Sequence, residues 1–513
     1  MKMSRSFALS ALMLLALLYL AVTYAIGKDQ ICVNRQGDAA IFEQLLANIH
    51  ARGEAVSNVF ANTQNFIERQ YFTKPFEDQL KDGLAPPVKA ERGMLRFHAY
   101  GILFLIAPLL KWWSASMTLA LLQVLSSCAV LVIVHAIVRQ RTQASWLALP
   151  LLTLVVLHPL FGGGLVGQFY PDRLFVPLAL ILCHQAYRHV GIGYLLITAL
   201  LTSLVNERAA LIGGLLLLLV PFCSPQFGAN RKRVVQTLAV GLAMLAYAYA
   251  QKRFVLENAY YDTYLPHGIG DLILRFQHRR LFAERAVELL LVSTPLLLLS
   301  LGHVRLGAVA VFVMVPNVIG DVGGAEKTGW VTHYHSYYFP VLVFAATMGF
   351  VQLLERIKPR LDAIRLPLAA GGVLMLALPI AFALHQLKQQ IASGAMPPVS
   401  YLTEPWSSYN CYHRGKCPTG RVYQKAVQDA IAADALVSTD ELGMALVYDK
   451  ARVDYFPVAA GQADYLLLPC DWLSGHAPAG ARAVPAQWLS DKGFDPGSVV
   501  RFAGIERCLL RKR

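Results

Sequence analysis

Long apolar runs recur along this chain from residue 7 to about residue 386, and the stretch Leu215–Val220 lies within one of the strongest. Runs of about twenty apolar residues are long enough to cross the hydrocarbon core of a bilayer as helices. Hydrophobic residues make up 56% of the sequence and charged residues only 15%, which is too few for the surfaces of several soluble domains. The sequence therefore predicts a polytopic α-helical membrane protein.

The basic residues between the runs predict how these helices are oriented. The first run, Phe7–Ile26, follows Lys2 and Arg5 and is too long for a cleaved signal segment, so we expect a retained span that leads outward. The net charge of +14 comes largely from basic clusters in short loops, which favours membrane orientation over nucleic-acid binding. Keeping these clusters inside predicts about eleven spans, at residues 6–27, 115–138, 144–161, 173–190, 192–206, 209–223, 234–250, 286–301, 306–320, 336–355 and 366–386.

The apolar stretch Phe97–Trp113 is just long enough to cross the membrane, but we predict that it does not. If it crossed, Arg139, Arg141 and Arg188 would lie outside, against the usual bias of basic loops. Its ends carry aromatic and basic side chains, which are typical of a helix lying in the interface. We therefore expect an outer loop over residues 28–114 that carries interfacial helices.

The chain is predicted to contain two regions. Residues 1–389 form the transmembrane region, and hydrophobicity falls after Leu387. Residues 390–513 are predicted to form a small extracytoplasmic α/β domain. A helix near 422–435 is followed there by short apolar strands near 436–438, 453–457, 465–469 and 498–502.

Five cysteines lie outside the predicted spans: Cys32, Cys411, Cys417, Cys470 and Cys508. The spacing of Cys411 and Cys417 predicts a short disulfide loop, which an oxidising compartment would permit. A metal site is the weaker interpretation, because no second Cys or His pair stands nearby at ligand spacing.

Ionisable residues at the outer ends of the spans are the candidates for chemistry. Asp38 opens an amphipathic helix that runs to about Ile49, and it either caps this helix or acts as a water-facing catalytic carboxylate at the membrane edge. The other candidates of this kind are Glu43, His98, Asp172, Arg173, Glu207, Arg208, His333 and His335. A purely structural role is the alternative for each of these groups. In that case Glu207 and Arg208 neutralise each other, and Asp172 and Arg173 cap the next helix. His333 and His335 would then lie at the membrane interface and bind no metal.

The outer segment 251–285 carries an excess of basic residues, including Arg275, Arg279 and Arg280. Guanidinium groups suit phosphate, so these arginines are candidates for binding an anionic substrate. The alternative is a solvated amphipathic surface segment.

Several short motifs occur in an order that can be compared with known families. They are Gly37-Asp38-x-x-Ile41-Phe42-x-Gln44, His98 with Ile102–Leu109, Gln123, His158-Pro159, Tyr170-Pro171-Asp172-Arg173, Asn206-Glu207-Arg208 and the segment Tyr448–Asp471. These motifs resemble a bacterial family of predicted membrane proteins of unknown function, which in turn resembles the GT-C superfamily of membrane glycosyltransferases. The chain departs from the family pattern at Tyr170-Pro171-Asp172, where His-Pro-Glu is usual, and at Asn206-Glu207-Arg208, where Lys-Glu-Asp is usual.

The resemblance implies a glycosyltransferase of a bacterial inner membrane that moves a sugar from a polyprenyl-phosphate carrier to an unspecified acceptor on the outer side. Asp38 would be the general base, with Glu43 and Asp172 as further catalytic candidates. The remaining candidates named above would bind substrate. No cofactor is clearly required, and a divalent metal stays open. The alternative function is a transporter or flippase, which the clustering of charges toward one face and the lack of an internal repeat disfavour.

Overall fold

The computed structural model describes residues 5–30, 37–68, 74–81, 92–142, 145–166, 169–256, 268–277, 279–319, 333–357, 420–450, 452–458, 460–473 and 482–513. The predicted boundary near residue 389, the predicted last span at 366–386 and the Cys411–Cys417 pair lie outside these residues. By contacts, the chain divides into two compact units. The helical unit comprises Met1–Leu18, Leu95–Ile102 and Leu122–Leu402, and the mixed unit comprises Tyr19–Met94, Leu103–Leu121 and Thr403–Arg513.

Helices occupy most of the described chain up to residue 357. They are α1 (Arg5–Gln30), α2 (Gly37–Arg52), α3 (Asn58–Glu68), α4 (Phe76–Lys81), α5 (Ile102–Ile106), α6 (Ala115–Thr142), α7 (Leu149–Leu157), α8 (Pro159–Val166), α9 (Phe175–Arg188), α10 (Ile192–Val205), α11 (Glu207–Leu219), α12 (Arg231–Phe254), α13 (Ile269–Gln277), α14 (Arg279–Ser300), α15 (Val304–Ile319) and α16 (Phe339–Ile357).

Among the described residues, four helical segments are long and apolar enough to cross a membrane by length and composition: Ala115–Thr142, Arg231–Phe254, Val292–Asn317 and Phe339–Arg356. Other predicted spans are helical but shorter. Helix α10, for example, is roughly 21 Å long, against roughly 30 Å for the hydrocarbon core. The structure thus bears out a helical membrane protein, while the count of eleven crossings stays a prediction.

The stretch that was predicted to lie in the interface forms only α5 and a following 3₁₀ turn, Ala107–Lys111. Together these span roughly 17 Å, which is too short to cross a bilayer and favours the interfacial arrangement.

The helical unit has one large apolar core, in which the side chains of Leu151, Phe175, Leu180 and Phe344 are fully buried. Helices α11 and α12 approach each other closely at Gly214 and Gly241. A Cβ atom at either glycine would come within 2.9 Å of the other's carbonyl oxygen. Small residues allow such close helix packing in a membrane protein, where helix association depends on van der Waals contact.

The C-terminal part of the mixed unit contains a five-stranded sheet of order β4-β3-β5-β7-β6. Strands β3, β4 and β5 are parallel, and β5, β7 and β6 are antiparallel. The predicted strands all exist, but the sequence missed β7 and the short helices around the sheet. The elements are α17 (Gly420–Asp429), β3 (Leu436–Thr439), α18 (Glu441–Val447), β4 (Arg452–Tyr455), β5 (Tyr465–Pro469), α19 (Cys470–Leu473), α20 (Ala486–Asp491), β6 (Val500–Phe502) and β7 (Arg507–Arg511). A separate two-stranded antiparallel pair joins β1 (Val56–Ser57) to β2 (Arg92–Gly93).

A disulfide joins Cys470, which follows β5, to Cys508 in β7. The two strands are antiparallel, and Leu468 lies opposite Cys508 in their register. The bond therefore closes the end of this strand pair, and its pairing was not predicted from the sequence.

Helices α3 and α4 pack against the C-terminal part of the mixed unit. The Asn62 amide of α3 donates to the Val453 carbonyl of the edge strand β4 at 3.1 Å. The Trp488 indole donates to the Leu80 carbonyl at 3.1 Å. Helix α3 thus supplies a hydrogen-bond donor to a strand that would otherwise be an open sheet edge.

Candidate functional site

Asp172, Asn206 and Tyr337 come from three separate segments of the helical unit and form one buried cluster. The Asn206 amide donates to Asp172 Oδ1 at 2.9 Å, and the Tyr337 hydroxyl donates to the same oxygen. The Tyr100 hydroxyl donates to Asp172 Oδ2 at 3.0 Å. Asp172 has no exposed surface, so these donors take the place of water as hydrogen-bond partners of its oxygens.

The tyrosines stay protonated in this setting. Burial and the neighbouring Asp172 charge raise the pKa of the Tyr100 phenol well above its usual value. A neutral phenol keeps its proton available for donation to the carboxylate. Tyr100 therefore fixes the orientation of Asp172.

Glu207 lies beside this cluster and is bound from one side by the segment before α5. Its Oε1 lies 2.9 Å from His98 Nδ1, and its Oε2 accepts the Ala99 backbone N–H at 3.0 Å. Glu207 also forms an ion pair with Arg208, 4.0 Å from Nε to Oε1. The carboxylate is thus held both by the segment around His98 and by the neighbouring Arg208.

Asn206 explains why these groups meet. Its backbone is extended, which ends α10, and its side-chain oxygen caps α11 by accepting the Ala209 N–H at 2.8 Å. The chain turns here, and Glu207 falls in the first turn of α11, where the helix dipole favours a negative charge. A polar cap in an apolar region therefore places both Asn206 and Glu207 at the cluster.

Asp172 and Arg173 lie in the 3₁₀ turn Pro171–Leu174, before α9. No side chain caps this turn or the following helix α9, so the interpretation of Asp172 and Arg173 as caps of that helix is wrong. Arg173 is 5% exposed, and its carbonyl accepts the Ser126 hydroxyl at 2.9 Å. His335 is also buried, with Nδ1 3.0 Å from the Tyr338 hydroxyl oxygen.

Asp38 and Glu43 belong to the mixed unit, in α2. Asp38 is the second residue of this helix, within its first turn, and is partly exposed, whereas Glu43 is 2% exposed. The next residue, Gln44, is held on both sides: its amide donates to Asn58 Oδ1 at 2.9 Å, and Ser57 donates to its oxygen at 2.5 Å. This network fixes α2 against the start of α3.

Asp38 also shares its surroundings with the C-terminal sheet of the mixed unit. Burial, followed by the charges of Glu441, Asp38 and Asp440, raises the pKa of the Tyr455 phenol well above its usual value. Helix α2 approaches α18 directly, because the Gln44 amide lies 3.3 Å from the Tyr448 carbonyl. Asp38 is therefore close enough to Tyr455, on the C-terminal sheet, for its charge to act on that phenol.

The remaining predicted residues are described only in part. Arg275 lies in α13, Arg279 and Arg280 open α14, and His333 opens a 3₁₀ turn, but their side chains lie outside the description. The described part of the chain contains no group of three or more His, Cys, Asp or Glu side chains that could hold a metal ion.

Sequence reasoning named Asp172, Glu207 and His98 but missed three neutral members of the cluster: Tyr100, Asn206 and Tyr337. Tyr100 and Asn206 lie inside the motifs that carried the family resemblance, which was the available signal. Tyr337 follows the His-Tyr-His-Ser turn, and no feature of the sequence marked it as a member of the site.

Residues 38–486 match the model of a protein family described as "Predicted membrane protein (DUF2079)". The match begins at Asp38 and includes every candidate residue discussed above. No curated protein matches the chain.

Proposed function

The chain belongs to this family of predicted membrane proteins, and from that premise we propose that it is a glycosyltransferase of a bacterial inner membrane. It moves a sugar from a polyprenyl-phosphate carrier to an acceptor on the outer side. The observation that carries the proposal is the buried cluster of Asp172, Glu207, His98 and Tyr100 in the helical unit. Ionisable groups are costly in such an apolar setting, and where they occur they usually serve a function.

The three candidate acids suit different roles. The oxygens of Asp172 already accept hydrogen bonds from three side chains, and Glu43 is almost fully buried. Asp38 is partly exposed at the start of α2, where an acceptor hydroxyl can approach it. We therefore assign Asp38 as the general base and Asp172 as a positioning residue.

The proposed outer location of the mixed unit is supported by the chain segments that belong to it. Residues 37–68 and 420–513 belong to one compact unit, which supports a location on the same side of the membrane and an even number of crossings between them. The Cys470–Cys508 disulfide favours an oxidising compartment for that side. Both observations support an outward first span and an extracytoplasmic C-terminal region.

A transporter or flippase is the second candidate, and one observation favours it. Helices α10 and α11 are short and meet at Asn206, whose polar surroundings are fully buried. Discontinuous helices with polar breaks are typical of transporter binding sites.

The test is transfer of radiolabelled sugar from a polyprenyl-phosphate donor in membranes that overexpress the protein. We expect Asp38→Asn to lower transfer by roughly two to four orders of magnitude, since it removes the base and keeps the size of the side chain. The matched control is Asp78→Asn on α4, an exposed acid that pairs with Lys81 at 3.0 Å. This control should transfer at the wild-type rate.

Two results would contradict the proposal. Full transfer by Asp38→Asn would remove Asp38 from catalysis. No transfer by the wild type, together with translocation of a fluorescent polyprenyl phosphate in proteoliposomes, would identify the flippase instead.

A further inference from the structure

A small cavity lies in the helical unit between α6, α8, α9 and the turn before α16. Its polar lining consists of Ser126, Ser127, Arg173, His335 and Ser336, and its other walls are apolar. Its volume is about 20 Å³, which is room for about one water molecule or one ligand oxygen. As far as the structure describes the chain, no acidic side chain lines it.

The polar groups of this lining are suited to donate hydrogen bonds. The Ser336 side chain is 1% exposed, and its hydroxyl makes no hydrogen bond within the described residues. Arg173, which is 5% exposed, contributes its guanidinium group to the lining. His335 Nδ1 lies 3.0 Å from the Tyr338 hydroxyl oxygen, so one of these two groups donates to the other. A buried hydroxyl without a partner costs stability unless a ligand or water satisfies it.

Among the described residues, the lining combines the Arg173 guanidinium with a Ser336 hydroxyl that makes no hydrogen bond and includes no carboxylate, so it suits an anionic oxygen. Guanidinium groups bind phosphate and carboxylate oxygens with favourable geometry. The apolar walls exclude a fully hydrated ion and suit a ligand whose charged oxygen is attached to a hydrophobic body.

We propose that this cavity binds one oxygen of a phosphate monoester, the head group of the lipid carrier, through Arg173 and Ser336. The anion site rests on the cavity alone, whereas the choice of a lipid phosphate over free phosphate rests on the proposed function. The site differs from the basic segment around Arg279, to which sequence reasoning assigned the phosphate.

The experiment measures binding of radiolabelled farnesyl phosphate to the purified full-length protein in nanodiscs, with farnesol and inorganic phosphate as competitors. Loss of a hydrogen bond to a charged ligand should weaken binding roughly tenfold in Ser336→Ala. Ser336→Leu, which fills the cavity, should abolish binding. The control is Ser293→Ala, because Ser293 is equally buried and without a hydrogen bond in the described residues, yet does not line the cavity.

Competition by inorganic phosphate but not by farnesol would support an anion site that also accepts free phosphate. Farnesyl phosphate binding that is equal in wild type, Ser336→Ala and Ser336→Leu would overturn the proposal, as would no binding to the wild type. The assay needs no sugar transfer. Binding that depends on Ser336 in a protein that transfers no sugar would therefore sustain this site and reject the proposed enzyme.

Discussion

Asn206 donates a 2.9 Å hydrogen bond to Asp172, and its own side-chain oxygen caps the helix that begins at Glu207. One side chain therefore joins a helix start to a buried carboxylate. An amide is suited to both tasks, because it presents a donor and an acceptor at once. Aspartate, which caps helices equally well, has no donor to offer Asp172.

We predict that Asn206→Asp destabilises the protein in a pH-dependent manner. The cap is retained, but two carboxylates then share one buried site, and only one can be ionised without a large cost. The midpoint of thermal unfolding in detergent should fall below that of the wild type at pH 8 and recover toward pH 5. An Asn206→Asp midpoint that matched the wild type at every pH would show that Asp172 does not depend on this amide.

The mixed unit contains a partly buried ion pair that joins distant parts of the sequence. Arg421 in α17 lies 3.2 Å from Asp29 at the end of α1 and donates to the Ser114 hydroxyl at 2.6 Å. Ser116 also donates to Asp29, which is 5% exposed. These contacts hold the start of α6 against the first and last parts of the chain.

Arg421→Ala should therefore destabilise the mixed unit by about 1–3 kcal/mol, because it removes a charged partner of the buried Asp29 carboxylate. The matched control is Arg501→Ala, since the Arg501–Glu506 pair is 61% and 67% exposed and such surface pairs contribute little. Limited proteolysis of the C-terminal region in membranes measures the difference. Equal protease resistance of the two variants would contradict the prediction.

The disulfide gives a third prediction. Peptide mapping of non-reduced protein should recover Cys470 linked to Cys508, and Cys183 and Cys223 as free thiols. Removing a bond that closes a loop of this size, with 38 residues of separation, should lower stability by about 2–4 kcal/mol in Cys470→Ser. Recovery of Cys470 as a free thiol from freshly isolated membranes would contradict both the pairing and the oxidising compartment.

Local patterns predicted much of the fold. Strands β3 and β5 were expected within one residue of their observed bounds, because short apolar runs between turn residues carry a strong local signal. The helix after Gly37 was likewise expected from the spacing of its apolar residues. The cysteine pairing was not, since it depends on the register of two strands that are distant in sequence.

Only the ionisable residues of the candidate site were predicted from the sequence. His98, Asp172 and Glu207 were noticed because ionisable residues are rare among apolar ones. The neutral groups that hold them, Asn206 and Tyr337, have no comparable signal in a single sequence. Their role comes from three segments meeting in space, which no local pattern encodes.

Asp454 provides the last prediction. It lies on the edge strand β4, is 1% exposed, and neither of its oxygens accepts a well-formed hydrogen bond from the part of the chain that the structure describes. Ser438, its partner in the register of β3, is fully buried and similarly unsatisfied. Burial raises the pKa of Asp454 to about 7, against smaller opposing effects of Arg452 and the nearby Asn62 amide.

The sign of the pH dependence follows from this shift. The unfolded chain loses the Asp454 proton near pH 3.8, whereas the folded protein keeps it until about pH 7. Between these values the folded state binds more protons, so the contribution of Asp454 to stability falls as the pH rises and is constant above pH 7. Each pKa unit corresponds to about 1.4 kcal/mol. Asp454→Asn cannot ionise, so it should remove this dependence and exceed the wild type in stability at pH 7.5.

The measurement is the thermal unfolding midpoint of the purified full-length protein between pH 5 and 7.5, followed by tryptophan fluorescence, since Trp472 and Trp488 lie in the mixed unit. The exposed Asp491 gives the control, and Asp491→Asn should follow the wild-type profile. Wild-type and Asp454→Asn midpoints that ran in parallel over the whole range would mean that Asp454 is ionised throughout. The buried Asp454 carboxylate would then have a partner. The contact of Asn62 in α3 with this strand would not depend on protonation of Asp454.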